Sequence, residues 1–210
     1  MKATKTIILL PVLLITIITA QTQNLVPNPS FEDTIYCPYV GEMDAVKDWH
    51  SYSASPDYYN ICADFQFGVP LNAWGYQLPA EGDAYCGMLI YNNYAFPPDP
   101  DTLFRKMLGT ELVVPLIINK KYYVSLKASL SSPDFCASNN IGVLFSTVPH
   151  VDTEQINSTW DLQNFAHINS QSIVTDTLNW TNVSGSFIAD SAYRYIVIGN
   201  FLIIALQIYL

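Results

Sequence analysis

Five side chains between positions 58 and 77 have the right chemistry to hold a sugar: Tyr58, Tyr59, Trp74, Tyr76 and Gln77. A pyranose has an apolar face that stacks on an aromatic plane, and its hydroxyls need amide or acid groups close by. The segments that carry these residues, "SPDYYNIC" and "GVPLNAWGYQLP", read as loops or loop edges. Half-buried Tyr and Trp with a wet polar tip are also ordinary loop packing, so that alternative stands beside the binding one. Trp49, in "DAVKDWHSYS", is a less attractive ring for this purpose.

Catalytic patterns are missing. The chain has no GxSxG elbow, no HExxH and no P-loop. Asp99 and Asp101 form an acid pair inside the Pro-rich run "YAFPPDPD", where a turn accounts for them. Paired carboxylates work on glycosides only when set across a cleft. His50, His150 and His167 are scattered and no CxxC occurs, so a transition-metal site is not expected. Asn157, Asn179 and Asn182 begin N-x-S/T sequons and read as polar loop and strand positions. The expectation is a binding or structural protein, not an enzyme.

Charge narrows the partners. Nine basic residues face eighteen acidic ones. Lys2 and Lys5 belong to an apparent leader, and without them the net charge is near −11. Nucleic acid is therefore not an expected partner, because phosphate neutralisation needs clustered Lys and Arg. Residues 1–23 read as a secretory signal: a basic start, an apolar run from Ile7 to Ile18, and small residues at Thr19-Ala20. The run is short for a membrane anchor and has no basic stop-transfer flank. Export makes disulfides the natural use of Cys37, Cys62, Cys86 and Cys136. Three pairings are possible. Cys37–Cys62, flanking a loop-rich stretch, is the first choice, and Cys86 and Cys136 either pair or stay as buried thiols.

These residues need a scaffold, and the pattern predicts strands. "KYYVSLKASL" puts Tyr122, Val124, Leu126, Ala128 and Leu130 on one face and mostly polar residues on the other. "DAYCGMLIY", "IGVLFST", "WTNVSGSFIA" and "YRYIVIGNF" are further candidates, separated by Pro- and Asn-rich connections. The one helix expected is Asp101–Thr110, with Leu103, Met107 and Leu108 on one side and Gly109 as its stop. Many short strands with long connections predict an all-β antiparallel sandwich of the jelly-roll kind, one domain over 24–210. "NLVPNPSFED" would be its first strand, with Leu25, Val26 and Phe31 inward and a bend at Asn28-Pro29-Ser30.

The order of "NLVPNPSFE", "SPDYYNIC", "GVPLNAWGYQLPAEGDAYCG", "LVVPLIINKKYYVSLKASL", "NNIGVLFS" and "WTNVSGSFIADSAYRYIVIGNF" resembles galactose-binding-like jelly-roll domains, including carbohydrate-binding modules. "NLVPNPSFE" carries the galactose-binding-like likeness, and the longer segments from "SPDYYNIC" onward together resemble N-terminal domains of secreted and outer-membrane-associated Bacteroidota proteins. The resemblance implies a non-catalytic module at the cell surface or outside the cell, binding glycans or cell-envelope components. A structural or adhesive domain without sugar binding is the alternative. It also implies a core strand position for Trp49 in "DAVKDWHSYS" and a structural calcium, with Glu32 and Asp33 matching ligands at the end of the first strand. Relatives continue past "GNF" into an acidic last strand, whereas this chain reads "LIIALQIYL", Leu202 to Leu210. That tail reads as a truncation or frameshift more than as a membrane-associating segment, and it predicts a sandwich missing its closing strand.

Overall fold

The computed structural model describes residues 23–53, 56–90, 106–132, 137, 139–149 and 166–201. The expected leader, the tail from Leu202, Asp99, Asp101, Cys136, His150 and Asn157 lie outside them. The described chain is all-β apart from a single 3₁₀ turn, Met43–Ala45. The strands are β1 (Trp49–Ser53), β2 (Asp57–Asn60), β3 (Leu71–Asn72), β4 (Gly75–Tyr76), β5 (Ala84–Gly87), β6 (Met107–Glu111), β7 (Lys121–Ala128), β8 (Ile141–Ser146), β9 (Ile168–Asn169), β10 (Thr181–Ile188) and β11 (Tyr195–Asn200). Every pairing between them is antiparallel.

One layer is a five-stranded sheet in the order β1-β6-β11-β8-β9. Against it lie two strand pairs, β7–β10 and β2–β5. Val143, Phe145 and Ile196 of the large sheet meet Val124, Leu126 and Phe187 of the β7–β10 pair. Trp49 and Leu108 meet Tyr58 and Ala84 of the β2–β5 pair, with Met43 and Val46 alongside. This is the expected sandwich. β7 alternates exposed and half-buried residues along its whole length, with Tyr122, Val124 and Leu126 against the core. The predicted inward face is the observed one, because each successive Cβ of a strand points to the opposite side.

The expected helix over Asp101–Thr110 is not formed where the chain is described: Met107–Glu111 is β6, inside the large sheet. Leu108 faces the sandwich core, while Met107 joins Leu144, Val197 and Phe201 in a buried cluster on the other side of the sheet. A strand covered on both faces has no apolar/polar alternation, so its short apolar run is easily read as a helical stripe. Gly109 is not a helix stop. A Cβ there would run into the Tyr52 ring and the Ile196 carbonyl, so the close approach of β1 and β11 requires glycine.

The opening segment also differs from a strand. Residues 24–33 run through bends and turns, although Leu25, Val26 and Phe31 do pack on the core. The expected bend is present. Asn28 takes φ +41°, and the Phe31 N–H donates to the Asn28 carbonyl at 3.1 Å. The Asn28 side chain completes the knot: its Nδ2 donates to the carbonyls of Asp33 and Lys47, and its Oδ1 accepts the Asp33 N–H. The buried Trp49 indole N–H donates to the Asn28 carbonyl at 2.9 Å. A segment with this many local side-chain bonds offers its backbone alternatives to a ladder.

The Cys37–Cys62 disulfide is formed, with Cα atoms 5.8 Å apart. Cys86 is a free thiol whose sulfur lies 3.8 Å from Met43 Sδ, and burial pushes its pKa well up, keeping it protonated.

Candidate functional site

The β3–β4 hairpin places Trp74 and Tyr76 at the surface, 49% and 52% exposed. Asn72 fixes the turn from below. Its buried amide donates to the Tyr85 hydroxyl at 2.7 Å and to the Gly68 carbonyl, while its Oδ1 accepts the Trp74 N–H at 2.9 Å. Gly75 supplies the φ of +114° that closes a two-residue loop. Leu71, opposite Tyr76 in the register, and Leu78 are also exposed and extend the apolar surface around the rings.

The hairpin is anchored to the end of the β7–β10 pair. Ser131 Oγ donates to the Trp74 carbonyl at 2.7 Å and Ser129 Oγ donates to Gln77 Oε1 at 2.9 Å. The Trp180 indole N–H donates to the Leu78 carbonyl at 2.8 Å, and its ring meets Tyr85 edge-on at 5.8 Å. Gln77 Nε2 donates to the Leu78 carbonyl, so this amide braces the hairpin.

Tyr58 and Tyr59, expected with this group, are interior. Strand β2 is covered on both sides. Tyr58 is fully buried: its hydroxyl donates to the Phe31 carbonyl at 2.9 Å and accepts from Thr34 Oγ1 and Asn60 Nδ2. Tyr59 packs on Tyr85 and Phe67 from the other side, and burial, then the nearby Asp57 carboxylate, pushes its phenol far above the usual range. Neither ring can reach a ligand in this structure. The pair "YY" carried no signal that both faces of its strand would be covered. Trp49 is buried, as expected.

Glu32 and Asp33 fit calcium poorly. Both carboxylate oxygens of Glu32 accept backbone N–H groups, from Asp83 at 3.0–3.1 Å and from Ala84 at 3.2 Å. Asp33 is exposed, and its backbone is tied to Asn28 and Lys47. Among the described residues no three His, Cys, Asp or Glu gather into one group. Calcium takes six to eight oxygens, and both oxygens of Glu32 already accept backbone N–H groups.

A chain of titratable groups lies at the Asp190 end of the β7–β10 layer. His167 Nδ1 accepts the Phe145 N–H at 3.1 Å, which leaves its proton on Nε2. Nε2 stands 3.0 Å from the Tyr193 hydroxyl, which in turn donates to Asp190 Oδ1 at 2.5 Å. The imidazole packs against the stacked Phe145 and Phe187 rings, and burial lowers its pKa against the opposing pull of Asp190. Both ring nitrogens are occupied, and the group serves as an acceptor that extends β9 along β8.

Sequence reading missed the exposed strip on the far side of β7 and β10. Lys121, Tyr123, Ser125 and Lys127 alternate outward from β7, and Asn182, Ser184, Ser186 and Ile188 do so from β10. The alternation of "KYYVSLKASL" was the available signal for half of it. Asn179 and Asn182 of the sequons are exposed, Asn179 bonded to Asp176 and Asn182 to Ser184. No helix among the described residues is long and apolar enough to cross a membrane. Compared with known proteins, the chain matches no family model, no curated protein and no solved structure.

Proposed function

We propose that this chain is an exported, non-catalytic sandwich module of the galactose-binding-like kind, which binds carbohydrate through the β3–β4 hairpin at the cell surface or outside the cell. The observation that carries this reading is the pairing of two half-exposed rings, Trp74 and Tyr76, with a turn locked from beneath by a buried asparagine. Rings held in place lose little freedom when a sugar stacks on them, and preorganisation of this kind is a main source of affinity at a small surface. The disulfide is in keeping with an oxidising compartment. A panel of insoluble and soluble polysaccharides, tested with the chain and with Trp74→Ala, decides the matter. Retention on at least one polymer that Trp74→Ala abolishes supports the reading, and retention indifferent to that change counts against it.

A second reading rests on a separate surface. Around the disulfide, Ile35, Tyr39, Val40, Ile61 and Phe65 are each more than half exposed. Large apolar side chains gathered on two cross-linked loops suit docking to another protein or domain. Under that reading the module is adhesive or structural, and Phe65→Ser with Tyr39→Ser removes its attachment to cell-envelope fractions while leaving its melting temperature in place.

A further inference from the structure

The geometry points to a specific ligand class: a linear acidic polysaccharide, lying along the outer face of the β7–β10 pair and ending on the Trp74–Tyr76 hairpin. The cross-strand register sets out the strip: Lys121 opposite Ile188, Tyr123 opposite Ser186, Ser125 opposite Ser184, and Lys127 opposite Asn182. All eight side chains are exposed, and Tyr123, at 68%, is more open than either Trp74 or Tyr76. They offer what an extended charged glycan needs: a ring for a pyranose face, a double row of hydroxyl and amide groups for its hydroxyls, and two ammonium groups for its anions. The lysines stand six residues apart on one strand, about 20 Å, which spans several sugar units.

Charge complementarity selects the acidic polymer. Acids outnumber bases eighteen to seven beyond the leader, yet the strip holds two lysines and no acid. Neither lysine belongs to an ion pair among the described residues, where Lys106 pairs with Asp57 and Arg194 with Glu111. Edge lysines also discourage sheet-to-sheet pairing, but that role does not call for an exposed tyrosine and a serine ladder between them. The strip runs into the hairpin directly. Ser129 and Ser131, the next odd-numbered residues after Lys127, are the ones that hold Gln77 and the Trp74 carbonyl. The inference rests on the hairpin reading for its uncharged contacts and adds the charge preference.

The rest of the molecule repels such a ligand, and this gives the proposal a distinctive signature. The screening length is about 30 Å at 0.01 M salt, about 8 Å at 0.15 M and about 3 Å at 1 M. At the lowest salt the polymer meets the whole net charge, near −11. At physiological salt it meets only the strip, and at the highest neither. Affinity for an acidic polymer should therefore peak at intermediate salt.

The test uses polygalacturonate and its fully methyl-esterified form, which share a backbone and differ in charge. At 0.15 M salt the chain should bind the acid form about fivefold more tightly, the yield of two exposed ion pairs of ordinary strength. K121Q/K127Q should remove that preference without moving the melting temperature, and Trp74→Ala should weaken both forms alike. Equal binding of the two forms overturns the proposal, as do a preference that survives K121Q/K127Q and failure to bind either polymer. Self-association that vanishes in K121Q/K127Q also overturns it, by making a second copy's acidic face the occupant. If Trp74→Ala changes nothing while the charge preference persists, the hairpin reading fails and the strip stands.

Discussion

The Glu32 carboxylate occupies the space above Gly82 where a side chain would otherwise stand. Its oxygens accept the Asp83 and Ala84 N–H groups, and Gly82 takes φ +63° to present them. A Cβ at position 82 would collide with that carboxylate. The opening segment is thus clamped to the strand that starts at Ala84. Gly82→Ala should cost about 2 kcal/mol, from the left-handed backbone and the displaced carboxylate together. Glu32→Ala should cost about 1 kcal/mol for the lost acceptors. Urea titration of the double variant should show less than the sum, since removing Glu32 removes the collision.

Gly109→Ala separates the strand from the helix. In a helix the change would stabilise by about 1 kcal/mol. In β6 the added methyl meets the Tyr52 ring and the Ile196 carbonyl. A loss of about 3 kcal/mol is expected in chemical denaturation, as for other overpacked interiors.

How far these elements were legible follows from how each is covered. β7 is wet on one side, so its alternation announced both its existence and its inward residues. β6 is covered on both sides and announced nothing but a short apolar run. The Asn28 bend was legible because only a few residue types tolerate its φ, whereas the knot that its side chain ties with Asp33 and Lys47 depends on a bend nineteen residues away. At the candidate site, Trp74, Tyr76 and Gln77 are near neighbours in sequence and lie together on one hairpin. Tyr58 and Tyr59 share the same composition signal, but the opening segment and the Phe67 loop close over them. Ring chemistry is visible in a sequence, whereas the tertiary contact that covers or exposes a ring is not.

His167 makes stability depend on pH. Burial holds its folded pKa below the ordinary 6.5. The unfolded chain therefore takes up the proton more readily, so this contribution is complete above about pH 6.5 and is lost as the pH falls below it. Protonation would also set an N–H against the Phe145 N–H that Nδ1 now accepts. The Asp190 carboxyl, reached through Tyr193, is held low by that tyrosine's hydrogen bond, and Asp176 is held low by the Asn179 N–H, so their losses come below their ordinary 3.8. Melting temperatures measured from pH 7.5 down to 5 should fall for the parent chain. His167→Gln, whose amide oxygen can still accept the Phe145 N–H, should flatten that fall.

Calorimetric titration with the polysaccharide held best in the panel, comparing the parent chain with Trp74→Ala, tests most directly whether the hairpin is the binding surface. The account predicts at least about a tenfold weaker Kd for the variant, the worth of one stacked ring, with melting unchanged because Trp74 is half exposed. An identical Kd for the two proteins would contradict it.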